Sequence, residues 1–180
     1  MIATTPLRKK LLDLAINGKL VKKRGEWKTV TLGEVSRIIG TKQHQILAKE
    51  IQTEGAYPVV SQGKEMIDGY SNEKDKVISD IPLVLFGDHT KNVKFIDFEF
   101  IVGADGTKLF APVDDADAKW LFYWTSNAAD RLCDRGYGRH WSLLNKIQLS
   151  LPPLAEQRAI VAKVEELFAV FDAMKGEAAN

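Results

Sequence analysis

Cysteine is almost missing from this chain. Cys133 stands alone, so neither a disulfide framework nor a cysteine-based zinc site is available. Histidine is nearly as scarce. His44, His89 and His140 lack the i, i+4 spacing of helical metal ligands, and no metal site is expected from them. No run of about 18 apolar residues occurs, which excludes a membrane-spanning helix. The polar, basic start has no apolar stretch behind it of the kind a secretory signal needs. Together these absences point to a cytoplasmic protein. The nucleophile elbow G-x-S-x-G is also absent. Asp88 and His89 are adjacent, and neighbours on an extended strand point to opposite sides, so they do not form the base and orienter of a hydrolytic triad. The G-x-G of Gly136-Tyr137-Gly138 has neither the preceding strand nor the following helix of a phosphate-cradling loop. A methyltransferase would need a Gly-rich cofactor loop and an Asn-Pro-Pro-aromatic segment, and neither is present. No cofactor is expected.

Strong net charge is missing too, at +1, but the charge is segregated. Residues 1–30 carry an excess of six positive charges, from Arg8, Lys9 and Lys10 through Lys22, Lys23 and Arg24 to Lys28. A second basic stretch holds Arg135, Arg139, His140 and Lys146 without an acid, while Asp114, Asp115 and Asp117 gather elsewhere. Segregated positive segments on a nearly neutral chain suit local binding of a polyanion.

The pattern of residues predicts the elements. Thr5 as N-cap, Pro6 at the first helical position and Gly18 past the last turn bracket a helix, with Leu7, Leu11 and Leu14 along one side. A basic linker leads into a strand at 27–30. Thr31 and Glu34 form a capping-box pattern for a short helix ending at Gly40. From Gln43 to Pro112, β-type runs alternate with turn residues. LVLF is continuous and apolar, as a central buried strand is, whereas VKFID alternates and reads as half exposed. Asp115 or Asp117 caps a helix running to about Leu132 that turns Trp120, Leu121, Trp124, Ala128 and Leu132 inward. Ser142 starts one helical turn, and IQLSL is a strand stopped by Pro152 and Pro153. In the last helix Ile160, Val164, Leu167, Phe171 and Met174 repeat at 4-3-4-3 spacing, the seam of a coiled coil, which seeks another helix.

Three polar loops, each ending a β-type run and each carrying a cation, are the candidate DNA-reading residues. They are Ser61, Gln62 and Lys64; His89, Thr90 and Lys91; and Arg135, Tyr137, Arg139 and His140. Arginine grips phosphate or bridges guanine N7 and O6, and glycine lets the backbone approach a ligand. Two other readings compete: a stand-alone metal-dependent nuclease using Glu26 and Lys28 or Asp97 and Glu99, and a protein-interaction adaptor without DNA affinity.

The stretch Pro152-Pro153-Leu154-x-Glu156-Gln157-x-x-Ile160-Val161, followed by the seam-bearing helix, resembles the specificity subunit of type I restriction-modification systems. So do Leu11 to Val21, Trp27 with Leu32-Gly33-Glu34-Val35, YPVVSQGKEMIDGY and the VLFGDHT turn. The resemblance implies an α+β fold: a mixed α/β target recognition domain with a short twisted β-sheet, plus a C-terminal coiled-coil-type helix. It implies segments at 1–24 (N-terminal helix and basic linker), 25–152 (recognition domain) and 153–180 (spacer helix). It further implies a non-catalytic subunit that binds double-stranded DNA and recruits methyltransferase subunits, which use S-adenosylmethionine, and restriction subunits, which use ATP. Family members carry two recognition domains, whereas this chain shows one, a half-length form. Pairing with a second copy through the seam, by way of the C-terminal and N-terminal helices, would restore the second domain as a homodimer. About 20 helical residues span roughly 30 Å, near one turn of duplex.

Overall fold

Helix α1 (Pro6–Ile16) ends as its glycine predicts. Gly18 takes a φ of 69°, its N–H donates to Ala15 O, and Lys19 N–H donates to Leu14 O, the paired bonds of a Schellman cap. A Cβ at Gly18 would also fall 2.7 Å from the Trp27 ring, so close packing and backbone sign both demand glycine there. The computed structural model describes residues 6–103, 106–113, 115–133, 136 and 138–178, the last four of these by backbone alone.

Nine strands form three sheets among the described residues. A ribbon pairs β1 (Lys28–Thr31) antiparallel with β9 (Gln148–Leu151). The main sheet runs β2 (Ser36–Ile39), β8 (Thr107–Pro112), β5 (Leu83–Gly87), β6 (Val93–Ile96), all antiparallel. A smaller sheet places β3 (Tyr57–Val60) between β4 (Gly69–Ser71), antiparallel, and β7 (Ile101–Val102), parallel. β5 is buried along its whole length, as its apolar run requires. Val84 and Phe86 face the helices, while Leu83 and Leu85 face a second cluster with Val60, Phe100 and Val102. The mixed helix and strand content is the α+β class expected.

Helix α2 (Leu32–Val35) is a single turn. Thr31 N–H and Oγ1 both donate to the Glu34 carboxylate at 2.7 Å, so the capping residues act as the sequence implies. The helix does not reach Gly40, because pairing of Ser36–Ile39 with β8 satisfies that backbone instead. The half-exposed reading of VKFID also fails. Val93, Lys94 and Ile96 are all buried, because both faces of the main sheet are covered.

Helix α3 (Ala118–Arg131) is capped by Asp117, whose carboxylate accepts from Trp120 N–H at 3.0 Å. It packs on the main sheet and, with α1 and helix α5 (Leu154–Ala178), encloses the larger core. The short helix α4 (Trp141–Leu144) sets the Trp141 ring against Phe86 and Phe110. The coiled-coil seam is split. Ile160 and Val164 are fully buried in the chain's own core, beside Val161 and Phe168. Leu167 and Phe171 are half buried, and Met174 and Val170 are exposed. The first two seam residues are thus taken up by α1 and α3 and are not available to a second copy. Arg8, counted above with the basic segment, is buried as well. It donates to Phe168 O at 3.1 Å and to the Asp172 carboxylate, and its guanidinium lies 4.7 Å from the Phe168 ring centroid. It ties α1 to α5. No helix among the described residues is long and apolar enough to cross a membrane.

The first turn of α5 gathers the rest. Gln157, fully buried, accepts from Asp117 N–H at 2.7 Å and donates to Asp115 O at 2.7 Å and Pro152 O at 2.8 Å. Glu156 accepts from the Trp27 indole N–H and from the N–H groups of Arg24 and Gly25, at 2.6–3.0 Å. The Trp27 bond above all, helped by the two backbone donors and Lys23 and opposed by burial, holds the Glu156 carboxyl below its ordinary value of 4.5.

Gln157→Ala deletes three hydrogen bonds and leaves two carbonyls and an N–H unsatisfied. It should cost about 2–3 kcal/mol in chemical denaturation, against about 0.5 kcal/mol or less for the exposed Glu166→Ala. For Glu156 the unfolded chain binds the proton more tightly, so its contribution is full above pH 4.5 and is lost as pH falls through the depressed folded value. Stability of the wild type should therefore fall more steeply below that pH than stability of Glu156→Gln; equal acid limbs would refute the linkage.

Candidate nucleic-acid interface

The three polar loops meet at the end of the main sheet. Their centre is the β5–β6 turn, Asp88 to Lys91, closed by Gly87 N–H to Asn92 O and Lys91 N–H to Gly87 O, both 2.9 Å. The loop after β3 docks on it through Gln62. Gln62 O accepts from Thr90 Oγ1 at 2.7 Å and Asn92 Nδ2 at 2.9 Å, and Gln62 Oε1 accepts from His89 N–H at 3.1 Å. The loop before α4 docks through Asp88, which is buried. Asp88 O accepts from His140 N–H at 2.9 Å, and its carboxylate accepts from Trp141 N–H at 2.7 Å. Gly106 closes the arrangement from β8 with a φ of 77°. A Cβ there would sit 2.6 Å from Gln62 Nε2 and 2.7 Å from His89 Cδ2.

Several predicted readers turn out to be framework. His140 is fully buried, and its Nδ1 contacts Asp88 O at 3.0 Å, which assigns the proton to Nδ1 and the ring to loop support. Ser61 is buried with its hydroxyl donating to the Asp68 carboxylate. Gln62 spends its backbone carbonyl and side-chain oxygen on the neighbouring turn. His89 is half buried beside it. Lys64, Thr90 and Arg139 are exposed and Lys91 partly so, and these form the outward face. Arg135 and Tyr137 lie outside the described residues. Among the described residues no ion pair holds Lys64, Lys91 or Arg139. Lys91 adopts a φ of 59°, a left-handed conformation that a lysine takes at a cost of about 1–2 kcal/mol.

Two further contributions escaped the sequence. A cleft of about 350 Å³ runs between the loops and the helices, with Lys64, Lys91 and Asn92 on one side and Lys9 and Ser126 on the other. Lys9 projects from α1 and pairs with Asp130 of α3 at 2.8 Å. The basic excess at 1–30 was the signal, but nothing in the sequence tied α1 to loops far along the chain. The second is Lys94 on β6, fully buried, which donates to Ser61 O at 2.6 Å and to Glu65 O. Burial pulls its ammonium below the ordinary lysine value, and Asp68 and Glu65 oppose that shift. Among the described residues no group of three or more His, Cys, Asp or Glu is placed to hold a metal, and Asp97 and Glu99 belong to no such group.

Residues 24–180 match the family described as the type I restriction modification DNA specificity domain. The chain is 26% identical over 160 residues to the type I restriction enzyme EcoR124I/EcoR124II specificity subunit of Escherichia coli, covering 84% of this chain and 39% of that protein. Its fold is similar to the HsdS subunit from Thermoanaerobacter tengcongensis, with a TM-score of 0.67, 21% identity, and coverage of 96% of this chain and 45% of that one. It is also similar to the type I restriction-modification S subunit from M. genitalium, with a TM-score of 0.67, 14% identity, and coverage of 96% and 50%. The chain thus spans half or less of the length of these relatives. With the match extending over most of its residues, the chain belongs to the type I restriction modification DNA specificity family.

Proposed function

We propose that this chain reads one half of a bipartite DNA site and carries no chemistry of its own, with methylation and cleavage left to the methyltransferase and restriction subunits it recruits. The observation that carries the reading is the docking of three loops into one hydrogen-bonded unit whose outward residues are Lys64, Thr90, Lys91 and Arg139. Cations with no ion-pair partner among the described residues, at a hydrogen-bonded sheet end, suit phosphate and base edges together: phosphate contacts fix register, and arginine and lysine select bases. The cleft continues the face as far as α1, where Lys9 is held by Asp130. Arg135 and Tyr137 belong to the same reading by sequence. The site of action is the cytoplasm.

A split target needs a second recognition unit. In this reading a second copy of the chain provides it, through what the helices leave uncovered: Leu7 on α1 and Val170 and Met174 on α5, all exposed, with Leu167 and Phe171 beside them. This pairing is narrower than the full seam, since Ile160 and Val164 are spent inside the chain. A twofold pair would favour an inverted repeat with a gap.

Selection of duplexes from a random pool by the purified chain, with its mass in solution measured alongside, tests the reading. Enrichment of one motif is expected; no enrichment, alone or with the modification subunit, would sink it. On the selected duplex, Lys64→Ala should cost about tenfold in affinity, with a smaller loss on a scrambled one, as loss of a base-edge donor does. Arg139→Ala should weaken the selected duplex more than a scrambled one. Lys91→Gly separates function from folding. Release of the left-handed strain should leave stability unchanged or raise it by up to about 1 kcal/mol, while DNA affinity falls. A parallel loss of both would show that Lys91 serves the fold alone.

A further inference from the structure

The least expected side chain in the molecule is Lys94. It sits mid-strand on β6, opposite Leu85 of β5, and is 0% exposed. The same side of the strand carries Ile96, which joins the apolar cluster of Leu83, Leu85 and Val60. An aliphatic residue would fill such a position without desolvating a charge, and a buried ammonium is tolerated only when its donors are matched. Its two acceptors, Ser61 O and Glu65 O, are the first and last carbonyls of the loop that carries Gln62 and Lys64. One cation therefore closes the loop from beneath.

We propose that Lys94 is a positioning residue for DNA reading: its buried ammonium holds the Ser61–Glu65 loop in the shape that presents Lys64 to the duplex. The inference rests on the DNA-reading function proposed above. Three loop carbonyls, of Ser61, Gln62 and Glu65, are bonded to side chains of one β-hairpin, by Lys94 from inside and by Thr90 and Asn92 from outside. Carbonyl oxygens captured this way are turned from a face that must accept phosphates, and they leave Lys64 as the exposed charge of the loop. The Ser61 hydroxyl, donating to Asp68, pins the same loop to the residue before β4. Lys94 touches no DNA in this arrangement. Its effect is on the discrimination made by the loop above it.

Lys94→Met keeps an unbranched side chain, one heavy atom shorter, and removes both charge and donors. Binding of the full chain to its selected duplex and to a scrambled duplex, across a salt series, reads the effect. The preference for the selected duplex should fall about tenfold, the scale of one lost base-reading contact, while scrambled-duplex affinity and salt slope stay as in the wild type. Amide exchange should quicken at residues 61–66 and stay slow at residues 84–86. Retained preference, or equal losses on both duplexes, would overturn the proposal. If Lys94→Met does not fold, Asp68→Ala decides: it removes the acceptor of the Ser61 hydroxyl and loosens the same loop from an exposed position, and a preference unchanged in that variant overturns the proposal. A wild type without preference for any duplex would overturn the DNA-reading function itself, and with it this inference.

Discussion

The first turn of α5 is the constraint on which the remainder of the molecule depends. Two consecutive side chains, Glu156 and Gln157, hold three separate segments: the linker at 24–27, the loop at 115–117 that caps α3, and the strand end at Pro152. The polar groups they satisfy are mostly part-buried at the margin of the larger core, and those that folding takes from water cost free energy if left unmet. Because Gln157 fixes the start of α3, it also fixes the surface on which the main sheet packs. Pro152 and Pro153 restrict the chain just before this turn, so little conformational freedom is left to lose when it forms.

From that anchor the order propagates to the loops of the proposed DNA face. α3 packs on β5 and β6, and the turn between those strands carries Asp88 and Gln62's partners Thr90 and Asn92. Asp88 and Gln62 are acceptor hubs: each draws another loop onto the β5–β6 turn through hydrogen bonds of 2.7–3.1 Å. The proposed reading face, although built from loops, is thereby made stiff without being made of regular structure. Stiffness matters because side-chain contacts to bases discriminate only if a misfit cannot be relieved by loop movement.

The parts of this arrangement that the sequence made legible are those fixed by local physics. The Gly18 cap, the Asp117 cap, the Thr31–Glu34 pair and the doubly buried β5 each follow from residues within a turn or a strand of one another. What stayed hidden is what depends on long-range pairing. Gly40 looked like a helix end because nothing local reveals that Ser36–Ile39 will pair with β8. The alternation in VKFID suggested solvent at Lys94, because period-two reasoning assumes that a charged residue marks the wet face. Here the wet side is replaced by two carbonyls from a loop about thirty residues earlier. Ser61 and His140 read as candidate DNA contacts for the same reason: polar type is visible in the sequence and burial is not. The seam of α5 was periodic as expected, yet periodicity alone does not say which helix answers it, and α1 and α3 take Ile160 and Val164 first.

A division of labour accounts for both what the loops share and what they expose. Residues that build the face, such as Asp88, Gln62, Lys94 and His140, spend their hydrogen bonds inward and are buried or nearly so. Residues that face outward, such as Lys64 and Arg139, make no described ion pair and so contribute little to holding the fold. On the proposed reading, a change at an outward position would alter which duplex is favoured with small effect on stability, since exposed side chains away from packing are worth about 0.5 kcal/mol or less. A change at an inward position disturbs the shape of every loop docked on it. Specificity can therefore shift by substitution at a few exposed tips while the hydrogen-bonded platform beneath them stays the same, and a new outward side chain inherits a rigid mount without having to build one.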